Sequence, residues 1–261
     1  MGDMRILFIG DIVGQPGRQM VARHLKRLIA EHGVQMVLAN AENAAGGFGI
    51  TPSVGEELLS LGIDLLTSGN HVWDKKEVEG YLAKESRLLR PANYPEEVPG
   101  VGVHILRKNS CMLGVLNLQG RAFLPSIDCP FKAADRELAQ ICRVTDTILV
   151  DFHAEATAEK QAVGWYLDGR VSAVVGTHTH VQTADEQILP ARTAYITDVG
   201  MTGPRNSVIG ITPEDAIRRF ITQMPRKFTL AHGPTQLCAV VLDVGDDGRA
   251  RTITRLQVLD D

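Results

Sequence analysis

A mixed α/β fold is what this sequence predicts, as one domain covering all 261 residues. Three observations carry that expectation. Short apolar runs alternate with amphipathic stretches from one end of the chain to the other, the pattern of strands and helices packed in layers. In two places, around residues 102–118 and 236–258, strand-like runs instead flank a short turn, as antiparallel hairpins do. No internal repeat, low-complexity tract or linker interrupts the chain, and its length suits one sizeable core.

Taken in order, residues 5–10 (RILFIG) read as a buried strand. A helical pattern opens at Pro16-Gly17, with Val21, Leu25, Leu28 and Ile29 on one face, and Gly33 stops it. Residues 36–41 form the next strand, 54–61 a short helix and 64–68 another strand. A more polar helix is expected over 74–83, with Asp74 capping it. Runs 102–107 and 111–118 flank Lys108-Asn109-Ser110 as a hairpin. Helices are then expected over 131–142 and 157–167, each followed by a strand, at 147–152 and 172–176. Residues 194–197 are a short strand, and 213–224 a helix with Pro213 in its first turn. The last two strands, 236–244 and 252–258, surround the turn at 245–248.

Composition excludes several classes. With 44% apolar and 22% charged residues the chain is of ordinary globular type. A formal net charge of −4 leaves no basic footprint for a stable nucleic-acid complex. No run of about 18 apolar residues marks a membrane span. No basic segment followed by a long apolar one marks a secretory signal, so a cytoplasmic location is expected. Cys111, Cys129, Cys142 and Cys238 are scattered and form no C-x-x-C pair. They read as reduced, mostly buried small hydrophobes.

Polar residues recur where a strand has just ended. Asp11 follows RILFIG, Glu42-Asn43 follow MVLANA, Asn70-His71 follow DLLTSG, His153 follows TILVDF, and His178-x-His180 follow SAVVGT. Ligand crevices of α/β sheets lie at the carboxyl ends of strands, so five segments deliver metal-binding side chains to one rim. Carboxylate, imidazole and amide oxygen suit iron, manganese or zinc, and the lack of thiolate argues against a structural zinc. Seven of these eight side chains as ligands exceed one tetrahedral ion but suit two ions about 3.5–4 Å apart. Other motifs fail: Gly46-Gly47-Phe48-Gly49 has no G-x-x-x-x-G-K-[ST], and no G-x-G-x-x-G or G-x-S-x-G occurs. Those glycines read as places where backbone passes close to the site. Asp151, two residues before His153, reads either as an acid orienting a ligand or as a structural one.

Gly69-Asn70-His71 (GNH), the lone His153 and Gly176–His180 (GTHTH) resemble calcineurin-like metallophosphoesterases, whose usual blocks run D-x-H, G-D-x-x-D, G-N-H-[DE], H and G-H-x-H. Two blocks depart: Asp11-Ile12-Val13 lacks the histidine, and Ala41-Glu42-Asn43 replaces the aspartate block. Those departures, with AENAAGGFGIT, SGNHVWDKKE and DFHAEATAEK, are similar to the YmdB-like branch, from Ile9 to about Ile211.

The resemblance implies a sandwich of two mixed β-sheets flanked by helices. It implies two metal ions per chain, iron first, with manganese or zinc as alternatives. Glu42 bridges them. Asp11, Asn43 and His180 complete one ion, and Asn70, His153 and His178 the other. A metal-bound hydroxide attacks, and His71 protonates the leaving oxygen. The implied activity is a metal-dependent phosphodiesterase opening 2′,3′-cyclic nucleotides to 3′-nucleotides. Broader phosphodiesterase or phosphomonoesterase activity is one alternative; a metal-containing regulator that binds nucleotide or RNA is another. The expected partner is a small phosphodiester, and a homo-oligomer is compatible with it. In the donor-rich loop 197–207, Arg205 is the candidate for a phosphate or base contact, with a plain structural crossover as the other reading of that loop.

Overall fold

The computed structural model describes residues 4–225 and 227–260. Its elements in chain order are β1 (Met4–Ile9), β2 (Asp11–Ile12), α1 (Gly14–His32), β3 (Met36–Asn40), α2 (Pro52–Ser60), β4 (Leu65–Thr67), a 3₁₀ turn (Asn70–Asp74) and α3 (Val78–Leu82). Then come β5 (Val103–Lys108), β6 (Cys111–Gln119), α4 (Pro130–Ile141), β7 (Ile148–His153), α5 (Thr157–Leu167), β8 (Ala173–Thr177), β9 (Gln187–Ile188) and β10 (Ala194–Ile196). The chain ends with β11 (Met201–Pro204), α6 (Pro213–Thr222), β12 (Thr235–Val244) and β13 (Ala250–Asp260).

Two mixed sheets result, in the order β2–β11–β12–β1–β3–β4, with β13 also on β12, and β5–β6–β7–β8–β10–β9. Both expected hairpins, β5–β6 and β12–β13, are antiparallel pairs. Strand period explains the layering, because successive side chains of a strand face opposite ways. In β1, Ile6 and Phe8 meet Leu113, Val115 and Val175 of the other sheet. Leu7 and Ile9 face the opposite way, onto Met20, Val21 and Leu25 of α1. In β7, Leu149 joins the layer between the sheets, while Val150 and Phe152 pack with Leu138 of α4 and Val163 of α5. The order is helix, sheet, sheet, helix. None of the described helices is long and apolar enough to cross a membrane.

Three local expectations are corrected. The helix read over 74–83 is a 3₁₀ turn and a five-residue helix, separated by Lys75 in extended backbone. Asp74 caps neither; it lies 2.9 Å from His71 Nδ1. Loop 197–207 contains β11, which pairs parallel with β2 and antiparallel with β12. Four residues including Gly203 and Pro204 carry no period-2 pattern, so nothing local signals that strand. Of the cysteines, only Cys238 is buried; Cys111 and Cys129 are half-buried, Cys142 is exposed, and all four are free.

The strand ends that carry the expected ligands share one rim. The loop after β8 reaches it in a costly conformation, with His178 at φ 99° and His180 at φ 66°. Each non-glycine residue held so costs about 1–3 kcal/mol. A buried carboxylate holds the loop down: Asp198 accepts from the Thr179 N–H and hydroxyl at 3.0 and 2.7 Å, and from Gly200 N–H at 2.8 Å. Lys160 of α5, also buried, donates to Asp198 at 2.6 Å and to the Thr177 carbonyl at 2.7 Å. Removing one partner of a buried pair strands the other charge. Lys160→Met is therefore expected to cost about 3–5 kcal/mol in urea unfolding, and Asp198→Asn added to it to recover part of that loss. A change no larger than a surface substitution gives, about 0.5 kcal/mol, would contradict this role.

Candidate metal centre

Asp11, Glu42 and His153 are fully buried, Asn43 is nearly so, and Asn70, His71, His178 and His180 are half-buried. They meet around the Glu42 carboxylate. Glu42 Oε1 lies 3.1 Å from His153 Nε2 and 3.1 Å from Asn43 Nδ2, and Oε2 accepts from the His71 backbone N–H at 3.1 Å. On one side, His180 Nε2 is 3.2 Å from Asn43 Nδ2 and 3.9 Å from Asp11 Oδ1. On the other, His153 Nε2 is 3.1 Å from Asn70 Oδ1 and 3.0 Å from His178 Nδ1. The eight residues taken from the strand ends are thus brought together. Gly69 makes room for them: a Cβ there would lie 2.0 Å from His153 Cδ2.

The three imidazoles outside the His71 position share one hydrogen-bonding logic. His180 Nδ1 donates to the Ile209 carbonyl at 2.9 Å, an acceptor only. The Thr177 hydroxyl donates to Asp151 at 2.7 Å and therefore accepts from His153 Nδ1, 2.9 Å away. Glu155 lies 3.1 Å from His178 Nε2 and accepts from it. In each ring the outer nitrogen carries the hydrogen, and the inner one turns a lone pair inward. That is how ligating histidines are held.

These donors fit a metal. His153 Nε2 faces three lone-pair atoms, on Glu42, Asn70 and His178, and a single nitrogen bears at most one hydrogen. The ligand-type atoms of Glu42, His153 and His178 all lie within 4.8 Å of one another. Asp11 Oδ1 is buried with no hydrogen-bond partner among the described residues, a costly state for a carboxylate oxygen. A cation would satisfy such a set.

Burial and mutual charge together set the titration of these groups. Burial pushes the Glu42 carboxyl up, but His153, His71 and His178 outweigh it and hold it at about 2. Burial lowers His153, yet Glu42, Asp11 and Asp151 lift it to about 8. His178 falls to about 3, through burial and the neighbouring His153. Burial raises Asp11 despite His180 and His153, and raises Asp151 to about 6. Asp151 thus orients His153 through Thr177 rather than directly, and Thr67 and Asn40 also donate to it.

Above this floor opens a cavity of about 290 Å³. Glu42, Asn43, His71, His178 and His180 form its polar side; Val13, Phe48, Ile209, Ile211, Phe228 and Leu230 form an apolar side. Arg205 is exposed, bonds through its backbone N–H to Pro234, and is not among the lining residues. Sequence reasoning missed the contact of Asp74 with His71, and it missed Glu155, Thr177 and the apolar wall. Glu155 stands two residues after His153 and was open to notice. Phe228 and Leu230 lie far along the chain from every polar block, with no local cue.

A family model described as YmdB-like protein matches residues 7–256. The chain is 51% identical, over 99% of its length and 98% of the relative's, to the 2′,3′-cyclic-nucleotide 2′-phosphodiesterase of Bacillus subtilis. Among solved structures, a hypothetical protein from Thermus thermophilus superposes with a TM-score of 0.93 at 43% identity, covering 99% of this chain and 100% of that one. A structure titled as a novel phosphatase from Mycoplasma pneumoniae superposes with a TM-score of 0.94 at 33% identity, covering 100% and 95%. The chain belongs to the YmdB-like family, built on the calcineurin-like metallophosphoesterase fold.

Proposed function

We propose that this protein is a phosphodiesterase working with two divalent ions and opening 2′,3′-cyclic nucleotides to 3′-nucleotides. The observation that carries the reading is the convergence of three inward imidazole lone pairs, two buried carboxylates and two amides beneath one open cavity. The substrate class comes from the name of the Bacillus subtilis relative. Glu42 sits between the two groups of donors and would be shared. Asp11, Asn43 and His180 would hold one ion; Asn70, His153 and His178 the other. Such ions, when bound, neutralise phosphate charge and make water nucleophilic near neutral pH. Iron is the first candidate, with manganese and zinc acceptable to the same donors. We read the enzyme as cytoplasmic, acting on a small substrate.

The chain's own part in the reaction is positioning and proton delivery. Opening the ring adds water across phosphorus and breaks the bond to the ribose 2′ oxygen, which leaves needing a proton. His71 lines the cavity beside Glu42 and is free of the donor cluster through its ring. Asp74 takes its Nδ1 hydrogen, which leaves Nε2 to pass a proton to the leaving oxygen. Arg205, outside the cavity lining, is given no substrate contact; the cavity wall takes that place.

Purified protein loaded with iron or manganese is expected to convert 2′,3′-cyclic AMP to 3′-AMP with about two metals per chain. Glu42→Gln should lose both metal and turnover, by metal analysis and chromatography on the same sample. Metal-loaded protein inert toward every cyclic nucleotide would sink the substrate class. His71→Ala should keep its metal and lose about 10²–10⁴ in rate. Metal loss in that variant would instead make His71 a ligand.

A further inference from the structure

We propose that the apolar half of the cavity is a nucleobase subsite, in which the base inserts between Phe48 and Phe228 and is held by stacking, without being read by hydrogen bonds. This rests on the reading of the chain as a cyclic-nucleotide phosphodiesterase.

A phosphodiester alone needs no apolar wall. Yet six apolar side chains line the cavity beside a charged floor, and five of them, all but Val13, keep surface in the open, where exposed apolar surface is unfavourable at about 25 cal/mol per Å². The arrangement of the rings is specific. Arg219 lies over the Phe228 ring, 4.7 Å from its centroid. The Phe228 and Phe48 rings are close to parallel, 21° apart, with centroids 6.4 Å from each other. The other edge of the series is Phe48 against His71, at 5.2 Å and 67°. Within this series the middle pair has the widest centroid separation and is the near-parallel one. A flat ring between two others needs about 7 Å, twice the ~3.5 Å carbon contact distance. A base seats there once the two faces are parted to that spacing. Arg219 rests against Phe228 and His71 against Phe48.

The gap stands at the right place for a nucleotide. Phe48 touches His71, the proton donor of the proposed reaction, so a base stacked on it puts its ribose over the floor of donors. Gly46 and Gly47 line the same side at φ 73° and 97°, which turns the chain around the opening without side chains in the way. The cavity's polar side chains belong to the floor, or to Thr179 and Glu155 beside it. Among the described residues the apolar wall offers none, so base edges meet no side-chain donor or acceptor from its lining. Stacking is tolerant of base identity because every base has a π-face. Purines, with more ring to cover, are therefore favoured over pyrimidines, and adenine and guanine are treated alike.

The test uses the metal-loaded full chain and three substrates: 2′,3′-cyclic AMP, 2′,3′-cyclic CMP and the base-free 2′,3′-cyclic phosphate of methyl riboside. Phe48 is left intact because it touches His71. Phe228→Ala is expected to lower kcat/KM for cyclic AMP about 5- to 150-fold, the worth of one base–aromatic stack. The loss should fall mainly in KM, with metal content unchanged and the base-free substrate altered less than about twofold, since it has no base to stack. Phe228→Leu, which fills the space without a flat face, should behave similarly, and Phe228→Trp should restore selectivity. An equal loss on the base-free substrate, or none on cyclic AMP, overturns the subsite and leaves the phosphodiesterase reading standing. No turnover of cyclic AMP by the wild-type protein overturns that reading, and the subsite with it.

Discussion

Four carboxylates leave water completely at one end of this sandwich: Asp11, Glu42, Asp151 and Asp198 are all fully buried. An ion moved out of water costs several kcal/mol unless its surroundings replace the lost solvation. Much of the local architecture is that replacement. Asp198 receives Lys160, Thr179 and Gly200; Asp151 receives Thr67, Thr177 and Asn40; Glu42 receives Asn43 and the His71 backbone. Asp11 is left half-satisfied, with one oxygen accepting from the His178 N–H and the other without a hydrogen-bond partner among the described residues. The unmet remainder of negative charge lies where the two groups of donors face each other.

The donors themselves come from both sheets. Asp11, Glu42, Asn43 and Asn70 follow strands of the first, and His153, His178 and His180 follow strands of the second. The distance between them is therefore set by the apolar layer that separates the sheets, including Phe8, Leu38, Val115 and Val175. Interiors are packed at crystal density and transmit a change of even one methylene. Reacting groups lose efficiency when misplaced by an ångström. The seam between the sheets is thus part of the site's geometry, though none of its side chains faces the cavity.

Most of the fold was legible because periodicity reports burial. Strand β1, buried on both faces, stood out as an apolar run, and α1 as an amphipathic one ended by Gly33, which takes the left-handed conformation. The failures came where structure is set by distant partners. Strand β11 is four residues long and owes its existence to β2 and β12. The 74–83 segment broke up where Asp74 turned back to His71. The strand-end residues were legible as a set because each follows its strand directly. The cavity wall was not: Phe48, Ile209 and Phe228 are near one another only after folding.

The backbone at His178 and His180 acts as a filter on what can replace them. At φ 99° and 66°, β-branched residues are strongly disfavoured, and the non-glycine types best tolerated on the left-handed side are asparagine, aspartate and histidine. All three carry oxygen or nitrogen donors. Substitutions that the loop accepts without refolding are therefore, glycine apart, ones that still offer a metal a donor atom. Evolution can shift such a site from softer to harder ions one residue at a time, with the loop, its Asp198 anchor and the fold beneath it left as they are.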